Sequence, residues 1–322
     1  MTTASKAGPA RMEQETVRLN EVNAHLRRLA ERVASAAPDL NAIRALIDEF
    51  ARVDDSACIS DASASGVRIG HIPCEWLVAG NSSPSDRLLY VHGGSWMSGS
   101  LAGYRAHAGR VAAATGCSVL NVDYRLAPEN AFPAGLEDCD QALDWMFENN
   151  PAGTGRARTT FIAGDSAGGN LILALLLMRR DQGKPLPDAA IALSPATDLT
   201  WSSPSITSRA DIDPIIRPQR LDAVVQAYLQ NRAPVDDPCV SPLFGELAGL
   251  PPLLLQTGEA EVLFDDSVRF ADKARQAGVT VNLETWPDMP HVFQMFAPFL
   301  PQATRALESI GSFVASRGYA HL

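Results

Sequence analysis

The stretch that most limits what this chain can fold into is Gly164-Asp165-Ser166-Ala167-Gly168-Gly169-Asn170. It directly follows the apolar run Thr160-Phe161-Ile162-Ala163 and leads into a helical run from Leu171 to Met178. A G-x-S-x-G set between a strand and a helix makes a sharp turn that holds the serine hydroxyl exposed at the end of a sheet. Gly164 and Gly168 are small enough to let such a turn close. A helix that begins at the serine also aims its unpaired N–H groups and positive dipole end at the space in front of the hydroxyl. The pattern recurs by chance, so it gains meaning only from its companions. Here these are a glycine pair upstream and a histidine downstream.

The upstream companion is His92-Gly93-Gly94-Ser95-Trp96, after the strand-like Leu88-Leu89-Tyr90-Val91. Acyl transfer builds negative charge on a carbonyl oxygen, and backbone N–H groups near that oxygen stabilise it. A glycine pair lets the backbone approach with no side chain in the way. Alone it reads equally well as a plain turn after a strand. With the serine turn it reads as an oxyanion loop, whose expected donors are the N–H groups of Gly94, Ser95 and Ala167.

With these motifs in hand, the chain resembles the bacterial hormone-sensitive-lipase family (family IV) of α/β-hydrolase carboxylesterases. The family's H-G-G-G appears as His92-Gly93-Gly94-Ser95, and its G-D-S-A-G-G-N is intact at 164–170. A third stretch, Asp123-Tyr124-Arg125-Leu126-Ala127-Pro128-Glu129 with Phe132-Pro133, matches the run between them. The resemblance covers roughly residues 60–315. It departs at Ser95, where a backbone donor tolerates the change, and at Glu261-Val262-Leu263-Phe264-Asp265, which stands where the family has D-x-L-x-D. The resemblance implies an α/β-hydrolase fold: a mostly parallel eight-stranded sheet flanked by helices, with a helical cap.

Alternating segments from about residue 57 onward agree with such a sheet. Strands are expected at Ile72–Val78, Arg87–Val91, Ser118–Asp123, Thr160–Ala163, Ala190–Leu193, Leu253–Thr257 and Val279–Thr285. Helices are expected at 103–115, 134–149, 166–182, 265–277 and 302–316. Two regions interrupt the alternation. Residues 10–52 carry Val22, Leu26, Leu29 and Val33, then Leu40, Ile43, Leu46 and Ile47, at amphipathic helix spacing. Residues 200–240 hold the turn-rich Trp201-Ser202-Ser203-Pro204-Ser205 and a helix from Pro218 to Gln230. Together these segments are read as the cap, the competing reading of the first being a surface helix packed elsewhere on the body. The core then comprises 53–199 and 241–322, and residues 1–9 are expected to be disordered.

A base for Ser166 must come from six histidines. His25 lies in the first cap helix, His321 at the C-terminus, His71 before an early strand and His107 within a helix. His92 belongs to the oxyanion loop, where the resemblance implies that it braces the backbone. His291, in Pro287-Asp288-Met289-Pro290-His291-Val292-Phe293, follows the last strand and precedes the terminal helix. The chain order serine, acid, histidine is that of α/β-hydrolases. The acid must accept from the imidazole N–H and stabilise the imidazolium. The loop after Leu253–Thr257 offers Glu259, Glu261, Asp265 and Asp266. Setting the family's D-x-L-x-D over it puts the catalytic acid on Glu261, with Asp265 as the alternative. Asp265 also suits a helix N-terminus, which explains it without catalysis. Asp165, beside the nucleophile, is expected to have a structural hydrogen-bonding role.

Composition removes several function classes. The formal charge of −10, with no lysine–arginine cluster, argues against nucleic acid. No apolar run reaches 18 residues, so no membrane span is expected, and the start of the chain lacks the apolar core of a secretory signal. Cys58, Cys74, Cys117, Cys139 and Cys239 are scattered without C-x-x-C spacing, as in a cytoplasmic protein with reduced thiols. No metal-ligand spacing is present, so no metal or cofactor is expected. The expected activity is a serine carboxylesterase acting on short- to medium-chain acyl esters through an acyl-enzyme. Lactones and small amides remain alternatives, since the same chemistry serves them. A non-catalytic ligand receptor on this fold is the remaining class; it is disfavoured because both Ser166 and His291 are in place. The expected partner is a small-molecule ester, and the resemblance allows a monomer or a homodimer.

Overall fold

The computed structural model describes residues 9–318. Of residues 1–9, expected to be disordered, 1–8 lie outside the described residues, as do His321 and the side chain of Cys58, whereas Pro9 opens the first helix. The helices are α1 (Pro9–Ala36), α2 (Leu40–Ile47), α3 (Leu101–Thr115), α4 (Ala134–Glu148), α5 (Ser166–Asp181), α6 (Ser205–Ser208), α7 (Leu221–Leu229), α8 (Phe264–Gln276) and α9 (Pro301–Gly318). The strands are β1 (Ser63–Ile69), β2 (Ile72–Val78), β3 (Ser83–Val91), β4 (Cys117–Val122), β5 (Asn149–Asn150), β6 (Gly153–Thr154), β7 (Thr159–Asp165), β8 (Ala189–Leu193), β9 (Leu253–Gly258) and β10 (Val281–Trp286). Apart from the small β5–β6 ribbon, they form one eight-stranded sheet in the order β1-β2-β4-β3-β7-β8-β9-β10. β2 runs antiparallel to both neighbours and every other pairing in the sheet is parallel. This is the α/β-hydrolase fold.

The central strands β4, β7, β8 and β9 are buried along their whole length, as expected for parallel strands covered on both faces. Alternation splits them between two cores. Leu89, Val91, Ile162 and Leu120 face α4, α5, α7 and α8, whereas Leu88, Tyr90, Phe161 and Val119 face α3, α9 and α1. Four cysteines, Cys74, Cys117, Cys139 and Cys239, are free thiols. Among the described residues no helix is long and apolar enough to cross a membrane.

The structure supplies a strand missing from the seven expected by pattern. β1 is Ser63-Ala64-Ser65-Gly66-Val67-Arg68-Ile69, a mostly exposed edge strand with no apolar stripe to reveal it. The last strand begins at Val281 rather than Val279, because the end of α8 continues through a turn in which Gly278 takes φ +81°. The expected helix from Pro218 starts as a 3-10 turn over Pro218–Arg220, becomes α7, and stops at Gln230 in the left-handed region.

Residues 9–50 do two things. On the α1 side, Val22 and Leu26 are buried in the body's core, Arg18 donates to the Phe299 carbonyl at 2.8 Å, and Glu15 pairs with Arg305 at 2.9 Å. Farther on, α2 reaches the end of the sheet where β3 and β7 stop. Arg44 donates to the Met97 and Ala127 carbonyls at 2.8 and 3.2 Å and pairs with Glu129 at 2.7 Å. The segment is thus anchored on the body while its far end lies at the ends of β3 and β7.

Candidate active site

Ser166 sits where β7 gives way to α5, with φ +52°, in the sparsely populated left-handed region. The flanking glycines are sterically required. A Cβ at Gly164 would lie 2.6 Å from the Gly168 carbonyl oxygen, and one at Gly168 would lie 2.0 Å from that of Val91. The turn therefore nests against the end of β3, which brings the His92–Trp96 loop alongside.

That loop is held by Asp165. Its carboxylate accepts from Gly93 N at 3.1 Å, Tyr90 Oη at 2.9 Å and Tyr104 Oη at 3.0 Å. Burial pushes the Asp165 carboxyl up to about 6, against the pull of these donors and of His291. A Cβ at Gly93 would stand 2.3 Å from this carboxylate, and one at Gly94, where φ is +109°, 2.2 Å from the Ser98 carbonyl oxygen. His92 Nδ1 lies 2.8 Å from its neighbour's carbonyl oxygen, Tyr124 Oη donates to the His92 carbonyl at 2.9 Å, and the two rings stack at 4.4 Å. Complete burial drives the His92 pKa down to about 4, so the ring is neutral and acts as a brace. With Gly93 N committed to Asp165, the N–H groups of Gly94 and Ser95 have no hydrogen-bond acceptor among the described residues. They and Ala167 N, in the first turn of α5, flank Ser166.

His291 Nε2 lies 2.9 Å from Ser166 Oγ, and His291 Nδ1 bonds Glu261 Oε2. The other oxygen of Glu261 accepts from Ser194 Oγ at 2.8 Å, Gly258 N at 2.9 Å and Thr257 Oγ1. Glu261 is fully buried, and every bond it makes is accepted from a donor. Burial alone would lower the His291 pKa, but the adjacent Glu261 carboxylate, aided by Asp213 and Asp165, outweighs burial and raises it. Gly258 makes room for the histidine loop, since a Cβ there would lie 2.1 Å from the Met289 carbonyl oxygen.

Asp265 lies elsewhere. Its carboxylate accepts from Ser205 N at 2.8 Å and it occupies the first turn of α8. This is the helix N-terminal place expected from sequence, with α8 beginning one residue earlier than expected, at Phe264, and the cap position itself falling on Leu263. The next carboxylate, Asp266, is the buried one: it accepts from Thr197 N, Asp198 N and Ser203 Oγ, and burial pushes it up to about 7. Glu259 offers the backbone bond to Trp286 rather than a contact with the imidazole. The remaining histidines serve the scaffold. His25 bonds the Phe50 carbonyl, His71 bonds Asp138, and His107 is buried edge-on to Tyr90 with its pKa lowered to about 3.

A cavity of about 380 Å³ opens over Ser166 and His291. Its walls are largely apolar: Val33, Leu40, Ile43 and Ile47 from the N-terminal segment, and Trp201, Ile215, Ile216, Leu221 and Val224 from the 200–240 segment. Sequence reasoning missed two residues that shape this site. Tyr228, on α7, stacks on Trp96 of the oxyanion loop at 4.6 Å, while Trp96 Nε1 donates to Asn170 Oδ1. Asp213 is buried behind the acid loop and accepts from Val262 N at 2.9 Å. The stack could have been sought from the aromatic at 228 within an apolar helix stripe. Asp213 carried no local signal.

Residues 88–295 match the family model described as the alpha/beta hydrolase fold. An acetyl-hydrolase of Streptomyces hygroscopicus is 39% identical over 77% of this chain and 81% of its own length. An esterase of Acinetobacter venetianus is 36% identical over 86% of this chain and 89% of its own. Among solved structures, an esterase from the bacterial hormone-sensitive lipase family superposes with a TM-score of 0.86 at 36% identity, over 93% of this chain and 98% of that one. With this sheet order, the serine turn and the His92–Trp96 glycine loop in place, the chain belongs to the α/β-hydrolase fold family, in its bacterial hormone-sensitive-lipase line of esterases.

Proposed function

We propose that the protein is a serine carboxylesterase in which Ser166, His291 and Glu261 form the catalytic triad and the N–H groups of Gly94, Ser95 and Ala167 form the oxyanion hole. The observation that carries the reading is the continuous chain from Ser166 Oγ through the imidazole to the Glu261 carboxylate. Glu261 holds the Nδ1–H tautomer, so Nε2 is free to take the serine proton. Ser166 Oγ then attacks the ester carbonyl carbon. The carbonyl oxygen gains charge in front of the three N–H groups at the positive end of α5. His291 returns the proton to the leaving alcohol, which departs and leaves an acyl-Ser166 ester. Water, deprotonated by His291, attacks that ester, and collapse of the second tetrahedral intermediate releases the acid and restores the Ser166 hydroxyl.

The N-terminal segment and residues 200–240 act as a cap that bounds the acyl and alcohol groups. Both supply apolar wall to the cavity over the nucleophile. A bounded apolar pocket of about 380 Å³ favours acyl chains of about two to eight carbons over emulsified long-chain fats. The similarity to a named acetyl-hydrolase agrees with the short end of that range, and four free thiols fit a reducing compartment such as the cytoplasm.

The test is a panel of p-nitrophenyl esters of increasing acyl length run beside a small lactone and an anilide. The proposal expects kcat/KM to peak at a short or medium acyl chain and to fall for long ones. Hydrolysis confined to the lactone or the anilide would overturn the ester reading, and strong activation on emulsified fats would overturn the bounded pocket.

A further inference from the structure

Asp213 lies in the 200–240 segment, is 2% exposed, and has a carboxylate that accepts three backbone N–H groups. Oδ2 accepts from Val262 N at 2.9 Å, and Val262 directly follows Glu261. Oδ1 accepts from Ile215 N and Ile216 N, each at 2.9 Å, and both isoleucines line the cavity over Ser166. All three partners are donors, so the ionised carboxylate is the form that fits the site. One buried anion therefore ties the wall of the substrate cavity to the loop that carries the triad acid.

We propose that Asp213 is a positioning residue for catalysis: it holds the Glu261 loop in register with His291, and its charge, buried near the imidazole, favours the imidazolium that forms at each proton transfer. The inference rests on the triad reading given above. Three carboxylates act on His291, each from a different element: Glu261 from the loop after β9, Asp165 from the end of β7, and Asp213 from the 200–240 segment. Asp213 helps to raise the His291 pKa, and His291 pulls the Asp213 carboxyl down against a burial effect that raises it overall. The guanidinium of Arg217 donates to the Asp213 main-chain carbonyl, at 2.8 Å. Asp213 touches no reacting atom, and its effect passes through Val262 and the imidazole.

The experiment compares Asp213→Asn with the parent enzyme by the pH profile of kcat/KM and by the pH dependence of organophosphate labelling. The proposal expects a fall of about tenfold or more in the plateau, since the amide cannot accept from all three N–H groups. It also expects the acid limb to move to lower pH by roughly 0.5–1 unit, since removing a nearby negative charge lowers the imidazole pKa. A merely structural role would lower the plateau and leave the acid limb in place, and that result would overturn the proposal. If Asp213→Asn does not fold, the same profile is read from Asp213→Ser. If neither folds, Asp213 serves the fold rather than the imidazole and the proposal falls. Glu261→Gln in the same assay separates the two claims. Wild-type rates in that variant would sink the triad reading itself, whereas its collapse beside an unshifted Asp213→Asn profile would sink only the role of Asp213.

Discussion

Replacing Glu261 by glutamine should remove most catalysis without unfolding the protein. In the parent, one Glu261 oxygen is bonded to His291 Nδ1 while the other accepts from Ser194 Oγ, Gly258 N and Thr257 Oγ1. A glutamine has one oxygen and one NH₂. The three fixed donors claim the oxygen, so the NH₂ turns toward Nδ1. The imidazole must then accept at Nδ1 and carry its proton on Nε2, where it faces Ser166 Oγ and cannot act as base. Loss of the tautomer and the counter-charge costs on the order of 10⁴ in kcat, or about 5.4 kcal/mol of transition-state stabilisation. Asp265→Asn is the contrast. It weakens one bond to Ser205 N at the first turn of α8, worth about 0.3–1 kcal/mol through the helix dipole, and should lower the Tm by at most about 3 °C. The assay is steady-state hydrolysis of p-nitrophenyl butyrate beside thermal melting of both variants. An active Glu261→Gln with a well-folded, inactive Asp265→Asn would instead place the acid four residues later, at Asp265.

Three further outcomes follow from the same geometry. Gly168→Ala should yield no stable folded enzyme, because the new Cβ would lie 2.0 Å from the Val91 carbonyl oxygen and 2.5 Å from that of His92; a soluble variant with an unchanged Tm would contradict this. With His291 as the proposed base, active as the neutral imidazole, and its pKa raised by the surrounding carboxylates, kcat/KM should fall tenfold per pH unit on an acid limb lying above 6.5, and a limb well below that value would contradict their role. Ile43→Trp, on the cavity wall contributed by α2, should lower kcat/KM for an octanoate ester relative to an acetate by roughly tenfold, the scale of an overpacking cost of about 1.4 kcal/mol. An unchanged ratio would exclude the N-terminal segment from substrate selection. Deleting that segment is a poorer test, since Val22 and Leu26 belong to the body's core.

What could be read from the chain was what it encodes locally. The serine turn and the oxyanion loop are fixed by glycines whose absent side chains make room for backbone within a few residues or on the adjoining strand end. The buried strands announce themselves as apolar runs because both faces are covered. β1 did not, since an exposed edge strand needs no apolar residues. Asp213 meets Val262 across 49 residues, and nothing in Asp213-Pro214 distinguishes a buried anchor from an ordinary turn. The early turns of α1 are bound to the body, while its Ala30, Val33 and Ala34 line the cavity over Ser166, so spacing along the helix does not by itself tell a cap from a surface helix. Glu261 was placed by registration against a family motif. The structure supplies a physical rationale for it: three donors hold one oxygen and leave the other for the imidazole.

The central claim, that Ser166 carries the acyl group, is tested most directly by trapping the intermediate. The enzyme is mixed with p-nitrophenyl acetate, quenched in acid within the first turnover, digested, and the peptide containing residues 164–170 is weighed. One acetyl group is expected on Ser166 in the parent enzyme, with accumulation of that adduct when deacylation is slowed, and neither adduct nor turnover in Ser166→Ala. Turnover persisting in Ser166→Ala, or an acetyl group found reproducibly on another residue while Ser166 stays unmodified, would contradict it.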